Sequence, residues 1–477
     1  MAIIENQTII LYYQPQVIED IVNLLGSDAR FKNLLKSIHL NKIKHFLSYL
    51  YLKPIIDRRY EDRSEYVHVS ASFMDTMYTW KTYNLILKGL QKYNIIEKSP
   101  KNYKVGERTN AYRINPKYAG YKFATIECDP KLAKKQLDYR KLKASEQNHH
   151  PQQVLEKLED IFRSITIDFK AAQQHIYNDL IFALNHPEVI EIKKHQYVKK
   201  NKFRPKKEYT TPEYEFEVKR LLKEVRSVCG ENVVISHKGI LLEHLQKVMY
   251  QYHFDMISIM RIHYGEFTFR LDSTSGRIHT NLTNLRSELR DYIRLDGQPI
   301  IGRDLVSSQL VFLSCLLVER YLDEVMPDDV QEFIQLCLDG GMKGKPDIYN
   351  FIKQQNNLTE TRKEVKIIFY EKVLFSSTPT RNYPKVTKAF IKSFPSVWAF
   401  IVELKGDDHA RCAVALQTLE SRLFIGAADE VLEHGIKVLT LHDALYIQAS
   451  AENKKIVDRI ILSRFWSQYK IKPTISE

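Results

Sequence analysis

The stretch IKVLTLHDALYIQ, Ile436 to Gln448, limits the possible folds more than any other. It reads as strand, two-residue turn, strand, with His442 and Asp443 at the tip of an antiparallel hairpin. A second segment, QPIIGRDLVSSQLVFLSCLLVERYL, reads as a buried strand ending at Asp304 and then an apolar helix. If these strands are neighbours, the two carboxylates converge on one point. Hard divalent ions held by shared carboxylates are how a protein clamps the attacking and leaving oxygens of a phosphoryl transfer. Either aspartate alone is an ordinary strand-end residue, and the chain between them sharpens the reading.

TETRKEVKIIFYEKVLF, starting at Thr359, spaces Arg362, Lys366 and Tyr370 at four-residue steps, which puts them on one helix face. Two cations and a ring in line can hold a triphosphate and cover a base; the same pattern also fits a plain basic amphipathic helix. GGMKGKPD imitates a phosphate loop, but only three residues separate Gly340 from Gly344, and Pro346 follows Lys345. A Walker A loop needs four residues between its glycines and a Ser or Thr after the Lys.

Upstream, residues 1–60 read mostly as helix, in VIEDIVNLLG and FKNLLKSIHLNKIKHFLSYLYL. Residues 61–125 read as helix, turn, helix and two strands joined at Gly106. Ser70 and Ser72 are candidate caps, Trp80 to Lys92 is the second helix, and Lys101, Lys104 and Arg108 lie in the hairpin. That is the layout of a winged-helix module, which places its second helix in the major groove or serves protein contacts alone. Residues 126–264 read as a helical accessory region. It contains a basic loop, 193–207, with eight Lys or Arg in fifteen residues and the aromatics Tyr197 and Phe203. Such a run is either a solvated loop or a strand-binding segment. No fixed-period repeat is present, which excludes solenoids.

Composition supports a polyanionic partner: 71 Lys+Arg against 58 Asp+Glu leaves a net charge of +13. Five widely spaced cysteines without a CxxC pair exclude a disulfide framework and a Cys-based zinc site, and point to a reducing compartment. The N-terminus lacks the features of a secretion signal. The longest apolar stretch, Leu310 to Val318, is about half of a membrane span. The expectation is an intracellular, cytoplasmic protein with no membrane partner.

Taken in order, the segments resemble the family A DNA polymerases, the class of bacterial DNA polymerase I and many phage replicases. STSGRIHTNLTNL is similar to the family's TGR…S…NL stretch and GRDLVSSQL to motif A. KPDIYNFI resembles the D-I-H segment, and RKEVKIIFY resembles motif B. VTKAFIKSFPSVWAFI resembles the helix with a Phe/Tyr-Pro dipeptide, ALQTLES the Gln-bearing helix and LHDAL motif C. The resemblance covers roughly residues 265–450.

It implies an α+β polymerase right hand, with palm and fingers in 265–477, an antiparallel palm sheet, and a thumb-like role for 126–264. A mostly helical N-terminal region with the winged-helix-like module would precede it. It further implies that Asp304 and Asp443 hold two Mg²⁺ and that Arg362, Lys366, Tyr370 and Gln309 bind the incoming nucleotide. Arg277, Asn284, Gln417 and His442 would contact the primer–template. The activity would be a nucleotidyltransferase, a template-directed DNA polymerase of a phage, plasmid or other mobile element, acting on DNA and nucleoside triphosphates with replication proteins as further partners. A single-subunit RNA polymerase or primase on the same palm, and a non-catalytic replication initiator, are the alternatives. The sequence departs from the family at Gln309, where Glu is usual and rejects a ribose 2′-hydroxyl, and at Leu374, where motif B usually has Tyr. The stretch from Lys366 to Asp443 is shorter than usual, and no D-x-E triplet signals a proofreading exonuclease.

Overall fold

The computed structural model describes residues 9–56, 66–100, 110–118, 123–144, 150–186, 211–230, 242–339, 346–376 and 383–476. Lys101, Lys104, Arg108 and the basic loop 193–207 lie outside the described residues. The chain divides into two units, one of residues 1–143 and 167–267, the other of residues 144–166 and 268–477.

In the first unit the strand Ile10–Tyr13 pairs antiparallel with Ala124–Glu127. The helical expectation for residues 1–60 is met by Pro15–Gly26 and Ser37–Ile56 and is corrected at Ile10–Tyr13. The physical reason is local: four apolar residues with Pro15 close behind are too few for a helix, and Pro15 itself opens the next one at its first position. The helices Ala71–Tyr78 and Trp80–Lys92 follow, the first capped by Ser70, whose side chain accepts from Phe73 N. Thr79, at φ 71°, separates them. A three-stranded sheet places Ala111–Ile114 between Val67–His68 and Ile96–Lys98. One core joins these parts, running from Ile9 through Phe46, Tyr83 and Leu90 to Ala133. The helices Phe169–Asn185, Thr211–Cys229 and Leu242–His263 pack on a separate cluster that includes Leu180, Val225 and Leu245.

In the second unit four antiparallel strands lie side by side in the order Val438–Leu441, Ala444–Gln448, Gln298–Asp304, Ile293–Leu295. Among the described residues this unit also holds eight helices of seven to 24 residues, from Ser308–Arg320 to Ala451–Tyr469. Phe312, Phe333, Phe390, Phe394, Phe424 and Phe465 fill the core. The helix Gln152–Arg163 belongs here, because Val154, Leu155 and Leu158 are buried in that core.

A second sequence expectation is corrected: Gln298–Asp304 is a half-buried strand, not a buried one. Arg303 faces inward at 3% exposure and is matched by Asp458, with Nε–Oδ1 2.6 Å and Nη2–Oδ2 2.9 Å. Because strand side chains alternate, burying Arg303 turns Asp304 to the open face. All five cysteines are free. Among the described residues, no helix is long and apolar enough to cross a membrane.

Candidate active site

Asp304 pairs in register with Ala444, and the turn between Leu441 and Ala444 contains His442 and Asp443. The strand end and the hairpin tip are therefore adjacent, and their carboxyl groups come within hydrogen-bonding reach. Crowding by protein, and then the Asp443 charge, push Asp304 up to about 7, although its side chain still meets solvent. Without a cation, two carboxylates this close oppose each other's ionisation. The donor set is all hard oxygen, which fits Mg²⁺, an ion commonly bound by one or two carboxylates with water and phosphate oxygens completing its octahedron. Among the described residues no group of three or more His, Cys, Asp and Glu side chains forms a fuller cage. Backbone strain flanks the pair: His442 and Ser307 both sit at φ 55°, in the left-handed region.

Behind the aspartates lies a buried polar cluster. Glu420, on the helix Ala410–Glu433, is 1% exposed. Its Oε2 accepts from Arg277 Nη2 in an ion pair and from Gln309 Nε2 at 3.0 Å. Burial above all raises Glu420 to about 7, against the pull of Arg277 and Gln309, with Asp443 pushing the same way as burial. Arg277 follows Gly276, at φ 71°, where a Cβ would come within 2.8 Å of His150 Nε2. The turn is fixed by Asp272, which accepts from Ser275 N at 2.9 Å, and by Ser421 Oγ donating to Ser275 O at 2.7 Å. His442 packs edge-on against His279 at 5.5 Å. Burial, then Arg277 and His279, lower His442 to about 4, so its ring is neutral near pH 7. Arg290 donates to Tyr446 Oη and to Leu285 O, both at 3.1 Å, and its charge favours ionised Asp304.

Arg362 and Lys366 lie on the helix Arg362–Ile368, opened by a capping box in which Thr361 and Glu364 satisfy each other's backbone N–H. Tyr370 lies in the wider turn Phe369–Leu374 that continues it. Arg362 Nε donates to Asp347 Oδ2 at 2.5 Å, and Arg362 stands 5.4 Å from the Tyr349 ring centroid. Lys366 Nζ is 5.9 Å from the Tyr349 centroid and 6.0 Å from that of Tyr370. Burial raises the Tyr370 phenol against the pull of Tyr349, with smaller rises from Cys337 and Asp443. Leu374 is fully buried.

The structure thus brings Asp304, Asp443 and His442 together at the strand end and hairpin turn, with Gln309 and Arg277 joined behind them through Glu420, while Tyr370 stands with Lys366 and Tyr349. Asn284 is exposed at the end of the short helix Asn281–Asn284, and Gln417 is half-buried one turn before Glu420; neither joins the hydrogen-bonded cluster. Glu420, Arg290, Asp347 and Tyr349 were not singled out from the sequence. Glu420 had a signal: Cys412, Leu416, Phe424 and Ala428 flank it at four-residue steps and are all buried, so it sits in the middle of a core stripe.

No protein-family model matches the chain, and no curated protein matches it in sequence. Among solved structures, the chain is similar to the POL domain of Pol1 from M. smegmatis in complex with DNA primer-template and dNTP. The identity is 13%, the match covers 72% of this chain and 71% of that chain, and the TM-score is 0.33.

Proposed function

We propose that the chain is a template-directed DNA polymerase that adds deoxynucleotides to a primer 3′ end, of the compact kind that a phage, plasmid or other mobile element carries. The observation that carries this reading is the juxtaposition of Asp304, at the end of one strand, with Asp443, in the hairpin turn beside it, together with Arg362 and Lys366 on one helix and Tyr370 in the wider turn that continues it. Two Mg²⁺ bound by Asp304 and Asp443 would neutralise phosphate charge and favour the ionised primer hydroxyl.

The chain's own side chains do the positioning. Arg362 exchanges Asp347 for the triphosphate, Lys366 adds a second cation, and Tyr370 lies against the sugar and base. Gln309 stands over the sugar, and neutral His442 meets the primer terminus. Arg277, Asn284 and Gln417 follow the minor groove. The primer 3′-oxygen then attacks the α-phosphate in line, and the bond to the leaving pyrophosphate oxygen breaks. The helix–helix–hairpin module of residues 61–125 serves as a DNA-binding element with Lys101, Lys104 and Arg108 as phosphate contacts, and loop 193–207 offers further cations to the strand.

The test is primer extension with dNTPs and NTPs side by side. Asp304→Asn and Asp443→Asn are each expected to abolish nucleotide addition while duplex binding and the unfolding midpoint stay close to the parent's. Extension by either variant at more than a few per cent of the parent rate removes the metal-holding assignment. A parent that extends only with NTPs makes the chain an RNA polymerase or primase.

A further inference from the structure

We infer that Glu420 is a positioning residue that fixes the Gln309 side chain over the sugar and couples it to Arg277, so that the carboxylate usual at the gate has moved to the helix behind it. The inference rests on the polymerase reading and deepens it. One oxygen, Glu420 Oε2, accepts from both Gln309 Nε2 and Arg277 Nη2. Glu420 is buried, and its second oxygen, Oε1, has no hydrogen-bond partner among the described residues; nor has Arg277 Nε. In its ionised form, which the ion pair with Arg277 favours, Glu420 only accepts and requires a donor opposite it. Gln supplies an N–H there, and ionised Glu cannot. With its amide nitrogen committed to Glu420, Gln309 presents its carbonyl oxygen in a set orientation. The same carboxylate holds Arg277, so a contact made by Arg277 with the duplex and the placement of Gln309 share one anchor.

A sharp expectation follows for Gln309→Glu, the substitution that restores the residue usual in the resembling family. In this chain it sets two carboxylates about 3.0 Å apart in a buried site. It should lower dATP insertion efficiency, and the ratio of dATP to ATP insertion, by roughly tenfold or more, the size of a shift of about one pKa unit. Adding Glu420→Gln to the same chain exchanges donor and acceptor and should bring both quantities back toward the parent. Volume is conserved in every variant, so folding is preserved best by this series. Unfolding midpoints of the parent, Gln309→Glu, Glu420→Gln and the double variant read the pairing without any chemistry, with a non-additive gain expected in the double variant.

If Gln309→Glu matches or exceeds the parent in an active enzyme, or Glu420→Gln gives no rescue, the inference is overturned. If the parent adds no nucleotide, the polymerase reading fails and the sugar role fails with it. The unfolding cycle still decides the pairing, and additive midpoints refute it.

Discussion

Gly302 lies opposite Tyr446 in the strand pair that ends at Asp304, and its missing side chain is what lets the tyrosine ring cover the backbone. A Cβ there would come within 2.9 Å of ring atoms Cε1 and Cζ. The ring cannot yield freely, because Arg290 donates to its hydroxyl and stands 5.9 Å from its centroid. Gly302→Ala should therefore displace Tyr446 and Arg290 together. The expected loss is about 1–3 kcal/mol of unfolding free energy, the usual range for one extra carbon in a packed site. Denaturant titration checks it: a midpoint unchanged within error would show that the ring moves without cost. Arg290 also favours ionised Asp304, so nucleotide addition should fall as well. From the sequence, GRD was legible as a strand ending in a carboxylate, whereas the reason for its glycine was not. That reason lies on a strand 144 residues further on, where no local pattern reports it.

At the scale of the element, the helices were the most legible part, since apolar residues at three-and-four spacing mark a buried face wherever they occur. The helix from Trp80 to Lys92 follows directly from that spacing, and the hairpin at His442 and Asp443 from two short apolar runs around a two-residue turn. The short strand Ile10–Tyr13 was hidden because its partner, Ala124–Glu127, lies over a hundred residues away. Likewise, the four-residue steps from Arg362 gave an ordinary helix, while the chain widens after Ile368 into the turn Phe369–Leu374. Lys405 explains part of that turn's stability. It is buried, and its Nζ donates to Val373 O at 2.5 Å and lies 5.6 Å from the Trp398 ring centroid. Burial lowers its pKa, with a smaller opposing effect from Cys412. Between the lowered folded value and the unfolded lysine value, the unfolded chain binds more protons, so this group makes stability rise as pH rises. Unfolding free energies of the parent and Lys405→Met, measured from neutral pH to about 10, should show the parent gaining on the variant. A constant difference would mean that Lys405 titrates alike in both states.

At the scale of the whole molecule, cores rather than sequence motifs decide which pieces can stand alone. The helix–helix–hairpin segment of residues 61–125 shares its interior with Leu25, Leu34 and Phe46 before it and with Cys128, Leu132 and Ala133 after it. Cut out alone, it would expose the apolar faces of Trp80–Lys92 and Ala71–Tyr78 that those residues cover, a loss no 65-residue piece can absorb. Residues 1–144 keep that core entire. The expectation is that residues 1–144 unfold cooperatively, whereas residues 61–125 alone show no cooperative transition. Trp80 makes the longer piece self-reporting: it is 54% exposed, opens the second helix, and is the only tryptophan before residue 145. Lys81 and Lys88 are exposed on the same helix. If this face enters duplex DNA, Trp80 emission should change on binding. The logarithm of affinity should then fall with the logarithm of salt concentration at a slope of about −0.9 for each phosphate contact. Titrations of a short duplex at several salt concentrations measure both. Affinity that stays flat across salt, with Trp80 emission unmoved, would assign this face to a protein partner instead.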